Sequence, residues 1–262
     1  HIRNVRLLLR KGSVYSATTT ALFRIAPAVY LGAAIVAMLF MPVADLYPLI
    51  SFEGDMICFA YTLALARTIL ILAAMDTGSS FEGMGAAREA LYGALIEPAL
   101  MIGFATLALF CGYTSFADIF EHEQSFDLHL TIVMLLTAFL FVKITFVESG
   151  RVPVDDPRTH LELTMIHEAM LLDVGGVDLA FALYGAALKF ELLAAFLVTM
   201  FVPQLSNPYL HLSVILGGVA LISILTGVVE SIMARVRFFK TPQMLLGALL
   251  MASLAVFFIA CF

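Results

Sequence analysis

Charge is scarce in this 262-residue chain: Asp, Glu, Lys and Arg make up 13% of it, against 62% hydrophobic residues. So few polar side chains cannot close the apolar surface, which excludes a soluble globular domain and requires lipid around the outside. Cysteine is scarce as well. Cys58, Cys111 and Cys261 lie apart in apolar runs, with no CxxC and no Cys/His cluster, so no disulfide, iron–sulfur cluster or metal site is expected in this chain. Sustained alternation of apolar and polar residues is missing, which argues against a β-barrel. An internal repeat is missing too, which counts against a transporter built from inverted repeats. There is no low-complexity tract or linker, and residues 1–262 read as a single transmembrane domain. The first residue is His1 rather than Met, which implies processing or an omitted N-terminal piece, and nothing there resembles a cleavable signal peptide.

What is present is length of apolar helix. Seven stretches, near 22–43, 55–75, 91–112, 128–147, 178–201, 209–230 and 242–262, each reach the roughly 20 residues a crossing needs. The fold class is therefore all-α, a polytopic transmembrane bundle of seven spans. Basic residues set its orientation. Arg3, Arg6, Arg10, Lys11 and Arg24 precede or open the first span, Arg88 lies in the second loop, Arg151 and Arg158 in the fourth, and Arg235, Arg237 and Lys240 in the sixth. Loops one, three and five carry no Lys or Arg. This bias places the N-terminus in the cytoplasm. The acidic far-side loop 113–127 reads as a solvated face.

Ionisable residues inside the spans need a partner or a cavity, because an uncompensated charge there costs about 3 kcal/mol on insertion scales. They are Arg67, Glu97, Lys143, Lys189 and Glu191. Glu97 precedes Pro98, which removes a helix hydrogen bond and frees a carbonyl. That makes Glu97 a candidate proton-binding group; the plainer reading is a structural pair with Arg67 or Lys143. Lys189 and Glu191 are too close in sequence to face each other, so each needs another partner.

Two cytoplasmic loops hold the remaining chemistry. Residues 75–89, MDTGSSFEGMGAARE, read as a tight glycine-rich loop packed on a partner, with Arg88 and Glu89 opening the next helix. They lack GxxxxGK[ST], so nucleotide binding is not expected. Residues 148–178 carry seven acids, Glu148, Asp155, Asp156, Glu162, Glu168, Asp173 and Asp178, together with Arg151, Arg158, His160 and His167. Val-Pro-Val and Asp-Pro force extended backbone, and a helical pattern resumes after Pro157. His160 and the His167-Glu168 pair do not form the HExxH zinc pattern. Clustered carboxylates repel, which raises some of their pKa values and suits reversible protonation.

The stretches LALARTILILAAMDTGSSFEGMGAAREALYGALIEPAL, ESGRVPVDDPRTHLELTMIHEAM and VESIMARVRFF resemble the H-type membrane subunit shared by respiratory complex I and group 4 membrane-bound hydrogenases, closest to the hydrogenase-4 and formate hydrogenlyase branch. The resemblance implies an anchor between a peripheral electron-transfer arm and a membrane arm. It also implies a proton path through Glu97, Glu148, Asp155, Asp156, Glu162, His167, Glu168, Lys143 and Lys189. Asp76, Glu82, Arg88, Glu89 and Arg151 would contact a cavity or the peripheral arm. The resemblance implies no catalytic residue, metal or cofactor in this chain itself, with a bound quinone left open. A nickel–iron centre and iron–sulfur clusters are expected in partner subunits. The partners implied are hydrogenase-like or dehydrogenase subunits, antiporter-like membrane subunits and the bilayer of a prokaryotic inner membrane, with no nucleic acid.

A quinone-binding subunit of an NADH:quinone oxidoreductase is the alternative, and a stand-alone secondary transporter a remote one. A purely structural anchor is the fourth reading. Complex I members commonly read NRxPFDLxExESELVxGFxxEYS in the acidic loop. Here Asp156-Pro157-Arg158-Thr159-His160 and His167-Glu168-Ala169 replace parts of that pattern, which argues against a tight quinone site. Relatives carry a further first span that this sequence lacks.

Overall fold

The computed structural model describes residues 2–16, 18–42, 47–121, 128–152, 154–155, 166–202, 205, 207–233 and 241–261. Ten helices and no strand occur among the described residues. They are α1 (Ile2–Leu8), α2 (Ala21–Leu39), α3 (Asp55–Asp76), α4 (Ser80–Cys111), α5 (Phe116–Glu121), α6 (Leu128–Glu148), α7 (His167–Met170), α8 (Gly176–Phe201), α9 (Pro208–Ile232) and α10 (Thr241–Cys261). Seven of them, α2, α3, α4, α6, α8, α9 and α10, are long and apolar enough to cross a membrane. The chain is a multi-pass membrane protein, and the seven expected spans correspond to these seven helices.

The third span departs most from expectation. It begins eleven residues earlier than the apolar run, so most of the 75–89 segment is helix rather than tight loop. At 32 residues, α4 is about 48 Å long at 1.5 Å per residue, well beyond a hydrocarbon core of roughly 30 Å. Its first turns therefore project past the apolar slab. Gly85 is what lets them pack. A Cβ there would lie 3.0 Å from both Ala169 Cβ and the Ile166 carbonyl oxygen, so only hydrogen fits where α4 crosses α7.

The far-side loop was expected to be solvated throughout, and the structure corrects this for residues 115–120. Phe116 is fully buried at the start of α5, joined by buried Ile119. Its ring meets Phe59, Phe104 and Phe196 edge to face, with centroids 5.3–5.9 Å apart. Such aromatic packing adds to the area buried. Asp55, fully buried at the first turn of α3, accepts from Phe116 N (2.9 Å) and Ser115 Oγ (3.0 Å) and holds the segment in place.

The other end gathers the polar loops. Thr20 caps α2 and donates through N (2.7 Å) and Oγ1 (2.8 Å) to Asp76 at the end of α3. The basic lead-in packs on the start of α8: Ser13 Oγ donates to the Gly175 carbonyl (3.2 Å), and Tyr15 OH donates to Asp178 (2.6 Å). α9 lies at the outside of the bundle and buries only His211, Ile215 and Thr226 among its described side chains.

Candidate functional site

Arg67, near the middle of α3, is 4% exposed and lies at the centre of the site. Its Nε lies 3.4 Å from Glu89 Oε1, and its Nη1 lies 2.7 Å from Glu97 Oε1. Its Nη2 pairs with Glu148 Oε1. The other oxygen of Glu148 lies 2.7 Å from Lys189 Nζ on α8. Three carboxylates thus meet two cations, and both Arg67 and Lys189 are nearly sealed from solvent. Buried charges are tolerated only when paired in this way.

The spacing on α4 explains how one guanidinium reaches two of these acids. Glu89, Gly93 and Glu97 recur every four residues and so line one face of the helix. Arg67 lies across that face at Gly93, where an added Cβ would come within 2.7 Å of its Nη1 and 3.1 Å of its Cδ. Glu97 is the open end of the cluster. Its side chain is 42% exposed, whereas that of Glu148 is 1% exposed.

Next to the cluster is a small cavity of about 10 Å³, lined by Glu89, Tyr92, Val147, Glu148, Gly150, Val154, Asp155, Ile166 and His167. That is the room a single water needs, and its polar lining could bind one. Asp155 Oδ2 accepts from the backbone N–H groups of Ile166 and His167, each at 3.1 Å, which fixes the approach of the chain into α7. The His167 ring lies 6.1 Å from that of Tyr30, and its Nε2 is buried with no hydrogen-bond partner among the described residues. Burial pushes the His167 imidazole below its ordinary value, Lys189 acts in the same direction, and Glu89 and Asp155 oppose it.

The structure brings together Glu89, Glu97, Glu148 and Lys189 of the sequence-predicted residues, with Asp155 and His167 beside them. Several others sit elsewhere. Lys143 extends over the Phe139 ring, 4.8 Å from its centroid, on the side of α6 that faces Gly247. Arg151 pairs with Glu230 of α9 at 3.1 Å and lies over Phe190. Arg88 donates to Met84 Sδ (2.9 Å), away from the residues that line the cavity. Glu82 is fully buried and accepts from Asp173 N (2.9 Å), which ties the start of α4 to the segment before α8. Asp76 accepts from the N and Oγ1 of Thr20, the cap of α2, and Glu168 is half-buried on α7 outside the cavity lining. Asp156 and Glu162, with Arg158 and His160, lie outside the described residues.

The site residues that sequence reasoning passed over are Arg67 as hub, Tyr30 and Tyr92. Arg67 had a signal, since an arginine in an apolar span demands counter-charges. The tyrosines had none, because a tyrosine in an apolar helix reads as core. Among the described residues, no group of three or more His, Cys, Asp or Glu side chains is placed to hold a metal ion.

A family model described as NADH dehydrogenase matches residues 3–261. The chain is 32% identical over 244 residues to Hydrogenase-4 component C of Escherichia coli K12, covering 90% of this chain and 76% of that protein. It is 28% identical over 248 residues to Formate hydrogenlyase subunit 4 of the same organism, covering 92% of this chain and 80% of that one. Among solved structures, a chain of the membrane-bound sulfane sulfur reductase, an archaeal respiratory membrane complex, superposes with a TM-score of 0.82. That match covers 98% of this chain and 85% of the other at 18% identity, and it speaks to the fold alone. With the match running almost end to end and the helical bundle reproduced, the chain belongs to the NADH dehydrogenase family, as an H-type membrane subunit.

Proposed function

We propose that the chain is a non-catalytic membrane subunit of a complex I-like redox pump of the hydrogenase-4 and formate hydrogenlyase type. It anchors the peripheral electron-transfer arm and passes protons toward the membrane arm. The observation that carries this reading is the continuous run of titratable groups from Asp155 and His167, through Glu148, to Arg67, Glu89 and Glu97. Each member has a distinct part. Asp155 orients the loop, and neutral His167 offers a proton acceptor at the cavity. Glu148 is shared between two cations, so a change at the loop alters how strongly it holds Arg67. Glu97 is the one carboxylate of the cluster that faces outward, where a proton can leave for a neighbouring subunit.

The charge bias of the loops assigns the cavity end to the cytoplasm of a prokaryotic inner membrane. The projecting start of α4 and the acidic loop form the surface for a hydrogenase-like peripheral arm, and antiporter-like subunits would receive protons from Glu97. Electron carriers, nickel–iron and iron–sulfur, are assigned to those peripheral partners. Arg151, which a quinone pocket would use, is taken up by Glu230, and this favours the hydrogenase branch over a quinone reductase.

The first experiment is purification of the native complex in mild detergent, with identification of its subunits and a nickel assay. Nickel with a hydrogenase large subunit is the expected result, and a flavin-containing NADH module without nickel would overturn the assignment. In that complex, Glu97→Gln is expected to keep redox activity in detergent and to lose most proton pumping in vesicles. Full pumping by the variant would remove Glu97 from the path.

A further inference from the structure

Glu191 is an exposed carboxylate near the middle of a membrane span. It stands about 22 Å from the start of α8 and about 15 Å from its end, counted at 1.5 Å per residue. Lys189 points elsewhere: two residues on a helix are about 200° apart, and Lys189 is buried against Glu148. The other described cations within or beside these spans lie elsewhere, Arg67 with three acids, Arg151 with Glu230 and Lys143 over the Phe139 ring on the side of α6 that faces Gly247. Among the described residues Glu191 has no ion-pair or hydrogen-bond partner. A carboxylate in that position is seldom left facing hydrocarbon; it faces a protein neighbour that satisfies it.

The surrounding surface is shaped for such a neighbour. Gly185 turns one side of α8 to Tyr30 and Leu31 of α2. Val198 packs against Gly218, where a Cβ would lie 2.7 Å from Val198 Cγ1, so α9 crosses α8 closely at that level. Glu191 lies seven residues before Val198 and so shares its face. By the level of Glu191, α9 no longer covers that face, and Tyr184, Ala187 and Glu191 stand exposed on successive turns. Small residues such as Ala187 let a second helix approach closely in a membrane.

We propose that the Tyr184–Ala187–Glu191 face of α8 seats a transmembrane helix of another membrane subunit, and that this helix presents a lysine or arginine to Glu191. Charge complementarity selects the occupant. A lipid tail offers nothing to a carboxylate at this depth, while a basic side chain neutralises it and fixes the register of the two helices. The proposal rests on the reading of the chain as a subunit of a multi-subunit membrane complex, and it adds which surface is used and what chemistry the partner brings.

The test uses the whole complex in its native membrane. A benzophenone amino acid replaces Ala187, is photoactivated with Glu191 intact, and its products are mapped by mass spectrometry. The expected product joins Ala187 to a membrane-subunit helix that carries a lysine or arginine within one turn of the captured residue. Glu191→Lys is then expected to lower co-purification of that subunit at least tenfold, Glu191→Gln less so. Changing the captured basic residue to glutamate in the Glu191→Lys background should restore assembly, which separates a lost ion pair from a chain that fails to fold. Capture of lipid only, capture of a helix without a basic residue, or full retention of the subunit in Glu191→Lys would overturn the proposal. Isolation of the chain with no other membrane subunit would instead overturn the parent reading.

Discussion

Glu148 is the side chain whose loss should be felt most, because it satisfies two buried cations at once. Glu148→Gln removes the acid that Arg67 Nη2 and Lys189 Nζ share and leaves Lys189 without an ion-pair partner among the described residues. Breaking a buried pair from one side costs about 3–5 kcal/mol, since the remaining charge stays desolvated. That is roughly a 10²–10⁴-fold change in the ratio of intact to unfolded protein. The same argument predicts rescue. Lys189→Met in the Glu148→Gln background removes the stranded cation and replaces it with an apolar side chain of similar length, while Arg67 keeps Glu89 and Glu97. The double variant should therefore regain more than half of the stability lost by the single one. The assay is the fraction of complex that remains monodisperse by size exclusion after stepwise heating in detergent. If Lys189→Met instead adds its own loss to that of Glu148→Gln, the two side chains are not a coupled pair and the reasoning fails.

Other outcomes follow from the same geometry. Gly93→Ala puts a methyl where Arg67 crosses α4 and should separate Arg67 from Glu97; reduced pumping with near-normal redox activity is expected, and unchanged pumping would show that Arg67 has room to move. His167, held below its ordinary 6.5 by burial, binds fewer protons folded than unfolded. Stability should thus fall as pH drops below about 6.5 toward the depressed folded value, and His167→Gln should flatten that part of the thermal-midpoint profile between pH 7.5 and 5.5. An identical slope in the variant would refute the burial of a neutral imidazole. Asp55→Asn weakens a charged acceptor for Ser115 and Phe116, which should cost about 1–3 kcal/mol and raise proteolysis at the α4–α5 turn; wild-type resistance there would exclude Asp55 as the anchor.

Span number and helical class were legible in the sequence because they depend on local composition: an apolar run of sufficient length needs no partner to be recognised. The motif strings around Glu89, Glu97 and Glu148 identified the family for the same reason. The demand for counter-charges at Arg67, Glu97 and Lys189 was also legible, though not which acid meets which cation. That choice is tertiary. Arg67 and Glu148 are 81 positions apart in the chain and meet only because α3, α4, α6 and α8 pack at one depth, with Gly93 leaving room for the guanidinium. Local pattern likewise misread the glycine-rich segment before Glu89 as a loop. One of its glycines, Gly85, serves a close helix crossing at Ala169, a contact between α4 and α7 that no window of neighbouring residues contains. The turn before α5 followed the same rule: its charges suggested solvent, but Phe116 had aromatic rings from three other helices to pack against, and burial of that ring outweighed the polarity of its neighbours.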